Sequence, residues 1–470
     1  MWSFIVALSV LLLFIAAVLC AVRAAQTART PQGAVGWVVF LLAVPWAGVP
    51  LYLFLGHHRF TGYRVARRES ERVVQGIKAY SEHIRPAPET LTMNVKPFEA
   101  IANLPVLKGN EAKLLVDGEA TFAAIFDAID AAQEYILIQF YIVRADDLGL
   151  RLQAKLIEAA KRGVKVRFMT DAVGSYHLPN SYYEDMRDAG IDVVMPSDQR
   201  GPKYRFQLNY RNHRKTVVID GTTGFIGGHN VGDEYLGLDP KFGRWRDTHM
   251  RISGPIVSQL QLIFVEDWHW ARDEDLLDAL NWAAPDVEDN ANAVIVATGP
   301  GDTTETGSMM FFSAIAAAQE RIWLASPYFV PDIDVMTALT NAAMRGVDVR
   351  LLVPDVIDHK MPWLAAFAYF DEIMEAGVKV HRYTDGFMHQ KAFVVDHTLA
   401  AVGTTNLDNR SFRLNFEAMA LFFDADIAAD VDEMFQVDFE NSYELVKPLA
   451  LQSAFVRYGA PLARLVSPIL

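Results

Sequence analysis

One motif occurs twice in this chain, and its repetition restricts the possible folds more than any other feature of the sequence. Each copy has a histidine, a lysine two residues later, an aspartate five residues after the lysine, and a glycine and an asparagine seven and ten residues after the aspartate. These positions are His213, Lys215, Asp220, Gly227 and Asn230 in the first copy, and His389, Lys391, Asp396, Gly403 and Asn406 in the second. Because the two copies match over the whole pattern, the sequence predicts a duplicated domain.

Similar words flank both copies in the same order. Residues 131–134 recur as 317–320, and residues 162–167 recur with one change as 345–350. Around each copy, stretches with helical spacing alternate with short apolar runs, which is typical of α/β units. Crossover connections of a dozen or more residues favour a mainly parallel or mixed sheet that is covered on both faces.

The predicted fold class is therefore α/β, with two duplicated domains that each contain a mixed sheet flanked by helices. We place the first domain at residues 111–285 and the second at residues 286–470, and we expect them to share one active site. A transmembrane helical hairpin is expected before them at residues 1–58, followed by a juxtamembrane helix and a linker at residues 59–110.

Two long uncharged runs support the hairpin. They cover residues 2–22 and 33–56, and each is long enough for a membrane-crossing helix, which needs about 20 apolar residues. Pro45 and Pro50 lie within the second run, where a membrane helix tolerates proline and can be kinked by it. The alternative is a signal peptide followed by a buried helix, but no basic residue precedes the first run and no cleavage signal follows it.

The distribution of arginines predicts the orientation. Arg23 and Arg29 lie between the two runs, whereas five arginines follow the second run within a short stretch. The five are Arg59, Arg64, Arg67, Arg68 and Arg72. Because positive charge favours the cytoplasmic side, we expect a multi-pass protein of the bacterial cytoplasmic (inner) membrane whose catalytic domains face the cytoplasm.

Composition excludes some classes of function. The formal net charge of −14 disfavours general nucleic-acid binding, which requires a basic surface. Cys20 is the single cysteine, so an intramolecular disulfide and a cysteine-based zinc site are excluded. A local basic pocket for one phosphate remains compatible with the acidic total.

The two motif copies can act together on a phosphate. Each histidine–lysine pair begins an apolar β-run, and residues two apart in a strand point to the same face. One histidine could attack phosphorus while the other protonates the leaving oxygen, and lysine and asparagine would bind the phosphate oxygens. The predicted phosphate-binding residues are Lys215, Asn230, Lys391 and Asn406. The alternative without catalysis is a pair of structural histidines at strand ends.

Acidic residues complete the predicted site. We expect Asp220 and Asp396, grouped with the catalytic motifs, to orient rather than to touch substrate. A nucleophilic histidine also needs an acceptor on its other ring nitrogen. Asp247 and Glu417, downstream of the two motifs, are the candidates for orienting the histidines, although their distances from the preceding asparagines differ and surface carboxylates are the alternative.

These motifs resemble the signature of the phospholipase D superfamily, which is present here in two full copies. Further likeness lies in residues 235–237, 245–249 and 409–411, and in the hairpin followed by residues 56–59. With these features the chain is similar to bacterial cardiolipin synthases over about residues 30–470. The second copy departs at one position, because Thr404 stands where the first copy has Gly228.

The resemblance implies a fold of two phospholipase D-like domains and a phosphatidyl transfer between two phosphatidylglycerol molecules, which gives cardiolipin and glycerol through a phosphohistidine. It implies no cofactor and no metal, and it implies membrane phospholipids and the bilayer as partners, with no nucleic acid. By analogy His213 is the nucleophile and His389 the acid and base, although the symmetry of the motifs leaves the order open. The alternatives are another phosphatidyltransferase, a hydrolytic phospholipase D, a nuclease and an inactive scaffold.

Overall fold

The computed structural model describes residues 2–28, 30–56, 74–76, 78, 84–87, 90–91, 93–194, 211–283, 285, 287–302 and 304–470. The described residues form two compact units, one up to residue 56 and one from residue 74 onward. Several residues of the predicted juxtamembrane segment lie outside the described residues, including those of its basic cluster. The basic cluster consists of Arg59, Arg64, Arg67, Arg68 and Arg72. Residues 57–58 at the end of the predicted hairpin and Arg29 of its loop are also outside the described residues.

The N-terminal unit is a bundle of three apolar helices, α1 (Trp2–Thr27), α2 (Pro31–Ala43) and α3 (Pro45–Leu55). Small side chains on α1 allow close packing, since Ala17, Ala21 and Ala24 are buried against Leu41 and Tyr52. The chain reverses direction after α1, so that α1 packs against both α2 and α3 as in a hairpin. Among the described residues, α1 is the one helix that is both long enough and apolar enough to cross a membrane.

The second apolar run is not a single helix, which corrects the expectation of one continuous span. It breaks at Val44, whose backbone leaves the helical region, and α3 restarts with Pro45 as its first residue. Proline has no N–H to continue the hydrogen-bond ladder and its ring disfavours a helical residue before it. Pro50, by contrast, lies inside α3 without ending it.

The larger unit contains the two repeats. The elements of the first are β1 (Leu107–Val116), α5 (Asp117–Ala131), β2 (Tyr135–Phe140), α6 (Asp147–Lys161), β3 (Lys165–Thr170), α7 (Asn180–Asp188), β4 (Asp192–Val194), β5 (Arg211–Asn212), β6 (Thr216–Ile219), β7 (Thr223–Gly227), β8 (Trp245–Arg246), β9 (Thr248–Ser253) and α8 (Ile256–Arg272), preceded by α4 (Lys96–Ala102). Short 3₁₀ turns cover Asp233–Leu236 and Leu277–Ala279.

The second repeat follows the same order and adds a C-terminal helix. Its elements are β10 (Ala291–Thr298), α9 (Thr306–Ala317), β11 (Arg321–Ala325), β12 (Phe329–Val330), α10 (Ile333–Met344), β13 (Asp348–Pro354), α11 (Lys360–Glu375), β14 (Lys379–Tyr383), β15 (Phe387–Met388), β16 (Ala392–Val395), β17 (Leu399–Gly403), β18 (Leu407–Asp408), α12 (Asn409–Arg413), β19 (Asn415–Phe422), α13 (Ala425–Glu440), β20 (Ser442–Glu444) and α14 (Ala454–Arg464). Its 3₁₀ turns cover Leu449–Leu451 and Ser467–Ile469.

Within the described residues, one mixed sheet of sixteen strands joins both repeats. Its order along the main path is β20-β14-β13-β11-β16-β17-β19-β10-β1-β9-β7-β6-β2-β3-β4, and β5 pairs with β19. Read outward from the centre, β1-β9-β7-β6-β2-β3-β4 corresponds strand for strand to β10-β19-β17-β16-β11-β13-β14. Since β1 and β10 pair antiparallel, the repeats meet about a pseudo-twofold axis. The predicted α/β duplication with a mixed sheet is confirmed.

Helices cover both faces of this sheet, and the alternation of side chains in β10 shows why. Val294 and Val296 belong to the core beneath α9, α10 and α11, whereas Ala293 and Ile295 belong to the core beneath α8 and α13. The latter core contains strands of both repeats, and a third core lies under α5 and α6. A strand that is buried on both faces requires continuous apolar sequence, which β10 and β17 have.

Candidate active site

Two very short strands bring each motif histidine to the other repeat. Strand β5 pairs in parallel with β19, and β15 pairs in parallel with β8. As a result the backbone N–H of His213 donates to the carbonyl of Phe416 at 3.0 Å, and that of His389 donates to the carbonyl of Arg246 at 2.8 Å. This strand pairing therefore places the histidine of each repeat against the other repeat and brings both motifs to one site.

Each histidine contacts a carboxylate of the opposite repeat. Nδ1 of His213 lies 2.9 Å from Oε2 of Glu417, and Nδ1 of His389 lies 2.8 Å from Oδ2 of Asp247. All four side chains are buried. A carboxylate that accepts the Nδ1 proton fixes the ring orientation and leaves the lone pair on Nε2, which is the atom a nucleophile or base requires.

Burial sets the protonation of the histidines. It lowers the pKa of His213 to about 4 and that of His389 to about 3, despite the opposing effect of the carboxylates. Both rings are therefore neutral at pH 7 before substrate binds. Burial alone would raise the pKa of Asp247 and of Glu417, but neighbouring lysine and histidine groups hold both values below the ordinary range.

The lysines lie beneath the histidines. Nζ of Lys215 donates to the carbonyl of His213 at 2.6 Å, and Nζ of Lys391 donates to the carbonyl of His389 and lies 2.8 Å from its Nδ1. Burial lowers the pKa of Lys215 to about 7 and that of Lys391 to about 8. Two cations in one buried site suit an anionic ligand, which would restore their full charge.

The motif asparagines are also buried. Oδ1 of Asn230 accepts the N–H of Ile142 at 3.0 Å, so its amide group is fixed with the nitrogen toward Tyr235. Oδ1 of Asn406 is buried without a hydrogen-bond partner among the described residues. An orphaned polar atom at this position is costly unless a ligand or water satisfies it.

The difference between Gly228 and Thr404 has a physical reason. A Cβ on Gly228 would lie 1.9 Å from Oδ1 of Asp247, so the carboxylate occupies the space of a side chain. In the other repeat the hydroxyl of Thr404 donates to Oε2 of Glu417 at 2.6 Å and accepts the N–H of Ala418 at 2.9 Å. The two carboxylates are thus held by different means.

Asp220 and Asp396, which were predicted to orient rather than to touch substrate, lie away from the histidines. Each follows its motif strand at the end opposite to the histidine. The carboxylate of Asp220 accepts three backbone N–H groups, each at 2.8 Å, and that of Asp396 accepts three at 2.8 to 3.2 Å. The donors are Gln133, Glu134 and Tyr135 for the first, and Gln319, Glu320 and Arg321 for the second. Both therefore fix a helix-to-strand turn.

Comparison with known proteins identifies the family. The sequence matches the family described as cardiolipin synthase, PLD-like domain, over residues 125–268 and 311–439. Cardiolipin synthase A of Pseudomonas fluorescens Pf-5 is 44% identical over 469 residues, which cover 98% of this chain and 97% of that protein. Cardiolipin synthase A of Pseudomonas aeruginosa PAO1 is 46% identical over 459 residues, which cover 96% and 93%. This chain belongs to the cardiolipin synthases of the phospholipase D superfamily.

Two further matches concern the N-terminal segment and the fold of this cardiolipin synthase. Residues 12–57 match the family described as phospholipase D-nuclease N-terminal. Together with the apolar helix α1, this indicates membrane association. The crystal structure of phosphatidylserine synthase from Haemophilus influenzae Rd KW20 matches with a TM-score of 0.60 at 16% identity, covering 80% of this chain and 99% of that chain. This likeness concerns the fold alone.

Several residues at the site were not among the predicted ones. The rings of Tyr141 and Trp245 pack on His213 and His389, with centroids 4.9 and 5.3 Å apart. Between the motif histidine and lysine, Arg214 points to the opposite face and binds Asp267 at 2.6 Å. The period of two in a strand could have predicted that Arg214 leaves the site, but its partner lies on α8 and carries no local signal.

The turn-forming role of Asp220 leads to a stability prediction. Asp220→Asn keeps a residue that tolerates the left-handed conformation seen here (φ 53°) but removes one acceptor oxygen and the charge. We expect the free energy of unfolding to fall by about 1–3 kcal/mol, with the turnover of the folded protein within about fivefold of wild type. Chemical denaturation and an activity assay measure the two quantities. Asp188→Asn, at an exposed helix position, is the control. Lost turnover at unchanged stability would restore Asp220 to the catalytic group.

Proposed function

We propose that this protein joins two phosphatidylglycerol molecules to form cardiolipin and free glycerol. The observation that carries the proposal is the pair of buried histidines whose Nδ1 atoms contact carboxylates of the opposite repeats, with a motif lysine bonded to the backbone of each. Such a site has a nucleophile, an acid and a cationic cradle for one phosphodiester. The family of the chain supports a lipid as the carrier of that phosphate.

In the first step Nε2 of one histidine attacks phosphorus of the donor lipid. A P–N bond forms, and the P–O bond to the glycerol head group breaks. The leaving oxygen takes a proton from the second histidine, so neutral glycerol departs and a phosphatidyl-histidine remains. The incoming phosphate anion favours protonation of that second ring, whose pKa is low in the empty site.

In the second step a hydroxyl of another phosphatidylglycerol attacks the phosphorus. The second histidine, now neutral, takes the hydroxyl proton, a P–O bond forms and the P–N bond breaks. One phosphodiester replaces another, so the exchange needs no external energy source. Lys215, Lys391, Asn230 and Asn406 would stabilise the charge on the equatorial oxygens in both steps. Which histidine is the nucleophile stays open, with His213 the choice by analogy.

The lowered lysine pKa values predict an unusual pH profile. A lysine is charged below its pKa, so the free enzyme loses its phosphate-binding charge as the pH rises through about 7 to 8. The histidine nucleophile loses its lone pair only below a pH of about 4. Because substrate binding must also protonate the second histidine, we expect kcat/KM to show no acid limb near pH 6.5 and to fall more steeply as the pH rises through about 7 to 8.

The matched variant for this profile is Lys215→Arg. A guanidinium keeps its charge throughout, so the alkaline fall should move to higher pH even where the changed geometry lowers the rate. Steady-state rates on phosphatidylglycerol micelles between pH 5 and 9 measure both profiles. An acid limb centred at 6.5, or an alkaline limb that is the same in both proteins, would contradict the assignment.

We also propose a multi-pass anchor with the catalytic repeats on the cytoplasmic side. The support is the arginine bias of the sequence, five after the second run against two between the runs. Labelling of single cysteines in intact cells and in inverted vesicles tests this. Protection of a cysteine at the exposed Lys161 in intact cells, with reaction after inversion, is the expected result.

Product analysis tests the proposed reaction against hydrolysis. Purified full-length protein is incubated with phosphatidylglycerol labelled in its head-group glycerol, with no other lipid. We expect cardiolipin and free glycerol in equal amounts and very little phosphatidic acid. Phosphatidic acid as the main product would show a hydrolase, and formation of a different lipid only after addition of another alcohol would show another phosphatidyltransferase.

A further inference from the structure

The C-terminal helix α14 has a row of large apolar side chains on its outer face. Among them, Phe455, Tyr458 and Leu462 are 65 to 67% exposed, and Leu465 at the end of the helix is 77% exposed. Their spacing of three, four and three residues places them on one side of an α-helix. Leu451, one turn before Phe455, extends the row and is 64% exposed. Single exposed apolar residues are ordinary, but an aligned row is not.

The opposite face of α14 is firmly packed, so the exposed row does not come from a loose terminus. Val456, Ala460 and Ala463 are buried against α11. Gly459 allows the close approach, because a Cβ there would lie 2.8 Å from Cδ2 of Leu364. The hydroxyl of Tyr369 then donates a hydrogen bond to Oγ of Ser467 at 2.9 Å. The outward direction of the row is therefore fixed by the fold.

The charge of this segment identifies its partner. Residues 446–470 contain three cations, Lys447, Arg457 and Arg464, and no aspartate or glutamate, although the whole chain carries a net charge of −14. Both arginines are exposed and their guanidinium groups stack on tyrosine rings, Arg457 on Tyr458 at 4.7 Å and Arg464 on Tyr369 at 4.8 Å. An exposed apolar row on a helix whose two charged residues are both cations matches the surface of an anionic bilayer.

A second copy of the chain is the less suitable partner. In a twofold contact the same patch meets itself, so the cations of both copies would face each other. We propose that α14 lies in the membrane interface, with Phe455, Tyr458 and Leu462 among the acyl chains and Arg457 and Arg464 at anionic head groups. This surface would hold the catalytic unit against the lipid layer that supplies its substrate, so its functional consequence rests on the proposed function.

Depth-dependent quenching tests the contact in the full-length protein. Cys20→Ser removes the single native cysteine, and Phe455→Cys or Leu462→Cys is then labelled with an environment-sensitive fluorophore. The protein is reconstituted into vesicles of phosphatidylglycerol and phosphatidylcholine that carry spin-labelled lipids. Met344→Cys is the matched control, because Met344 is also apolar and is 75% exposed. We expect at least a twofold stronger quenching at both α14 positions than at the control.

Replacing the arginines and varying the protein concentration distinguish membrane contact from the other outcomes. Arg457→Gln together with Arg464→Gln should weaken the quenching in anionic vesicles and leave it unchanged in purely zwitterionic ones. Quenching at α14 no stronger than at Met344 would overturn the proposal. A fluorescence shift that depends on protein concentration and not on spin-labelled lipid would assign the row to a second copy instead.

An activity measurement separates this proposal from the proposed function. Phe455→Asp with Leu462→Asp places two charges on the exposed row without touching the core. We expect cardiolipin formation to fall by about tenfold or more on vesicles and to stay within about twofold on detergent micelles, which do not require interfacial docking. Equal activity on vesicles would overturn the role of α14. An inactive wild-type protein would overturn the proposed function, while the quenching result would still stand.

Discussion

Replacing His213 or His389 by alanine is expected to lower cardiolipin formation by about 10³- to 10⁵-fold, since each removes one half of a two-step transfer. The double variant should be about as inactive as either single one, because the two histidines act as a unit. Rates of cardiolipin formation from phosphatidylglycerol in micelles measure all three proteins. The structure predicts this from burial and contact, as both rings lie in one site with Nδ1 held by a carboxylate.

His397→Ala is the control for these variants. This histidine directly follows Asp396 of the second motif, but its side chain is 66% exposed and contacts Glu320 rather than the site. Its replacement should leave the rate within about twofold of wild type, as is usual at exposed positions. If either His213→Ala or His389→Ala kept wild-type activity, the two motifs would not form one catalytic site, and an inactive scaffold would become the better description.

The second large effect is expected at the carboxylates. Glu417→Gln and Asp247→Asn keep the size of the side chain but remove the charge that orients the ring and stabilises its protonated form. We expect a loss of about 10²- to 10⁴-fold in kcat, with little change in unfolding temperature. Thr404→Val removes only the hydroxyl that donates to Glu417 at 2.6 Å, so its loss should be smaller.

The exchange between repeats gives these variants a specific signature. In proton spectra of protein with labelled histidine, Glu417→Gln should shift the Nδ1 proton of His213 and leave that of His389 in place. Asp247→Asn should do the reverse. Gly228→Ala provides an independent variant, because its Cβ would collide with Oδ1 of Asp247 and should therefore disturb His389. A shift at the histidine of the same repeat would contradict the crossed contacts.

The sequence was sufficient to predict the repeated fold and the residue types at its centre. The order of strands and helices follows from apolar periodicity, and the strands of the two repeats correspond one to one. The relative orientation of side chains within one strand could also be predicted, because residues two apart share a face. His213 and Lys215 were therefore expected together before any three-dimensional information.

The crossing of the repeats could not be predicted, because it depends on the pairing of strands only two residues long. Strands β5 and β15 have no periodicity of their own, yet they decide which carboxylate each histidine meets. The unequal spacing of Asp247 and Glu417 also has a structural cause. A 3₁₀ turn and a loop follow Asn230, whereas only the two-residue strand β18 and the short helix α12 follow Asn406.

Two other expectations were incomplete. The second apolar run has the length of a membrane helix, but the break at Val44 before Pro45 divides it. Asp220 and Asp396 are part of the motif pattern, and pattern alone grouped them with the catalytic residues. Their three N–H donors come from a turn more than 70 residues earlier in the chain, which the motif does not reveal.

Direct detection of the covalent intermediate tests the central claim, a single site in which one histidine of the two repeats carries the phosphatidyl group. Protein is mixed with phosphorus-labelled phosphatidylglycerol, quenched within one turnover at alkaline pH, where phosphohistidine survives, and digested for mass spectrometry. We predict a phosphatidyl group on His213 or His389, on one of them only, and loss of the label when that residue is replaced by alanine. Cardiolipin formed without label on either histidine would contradict the account.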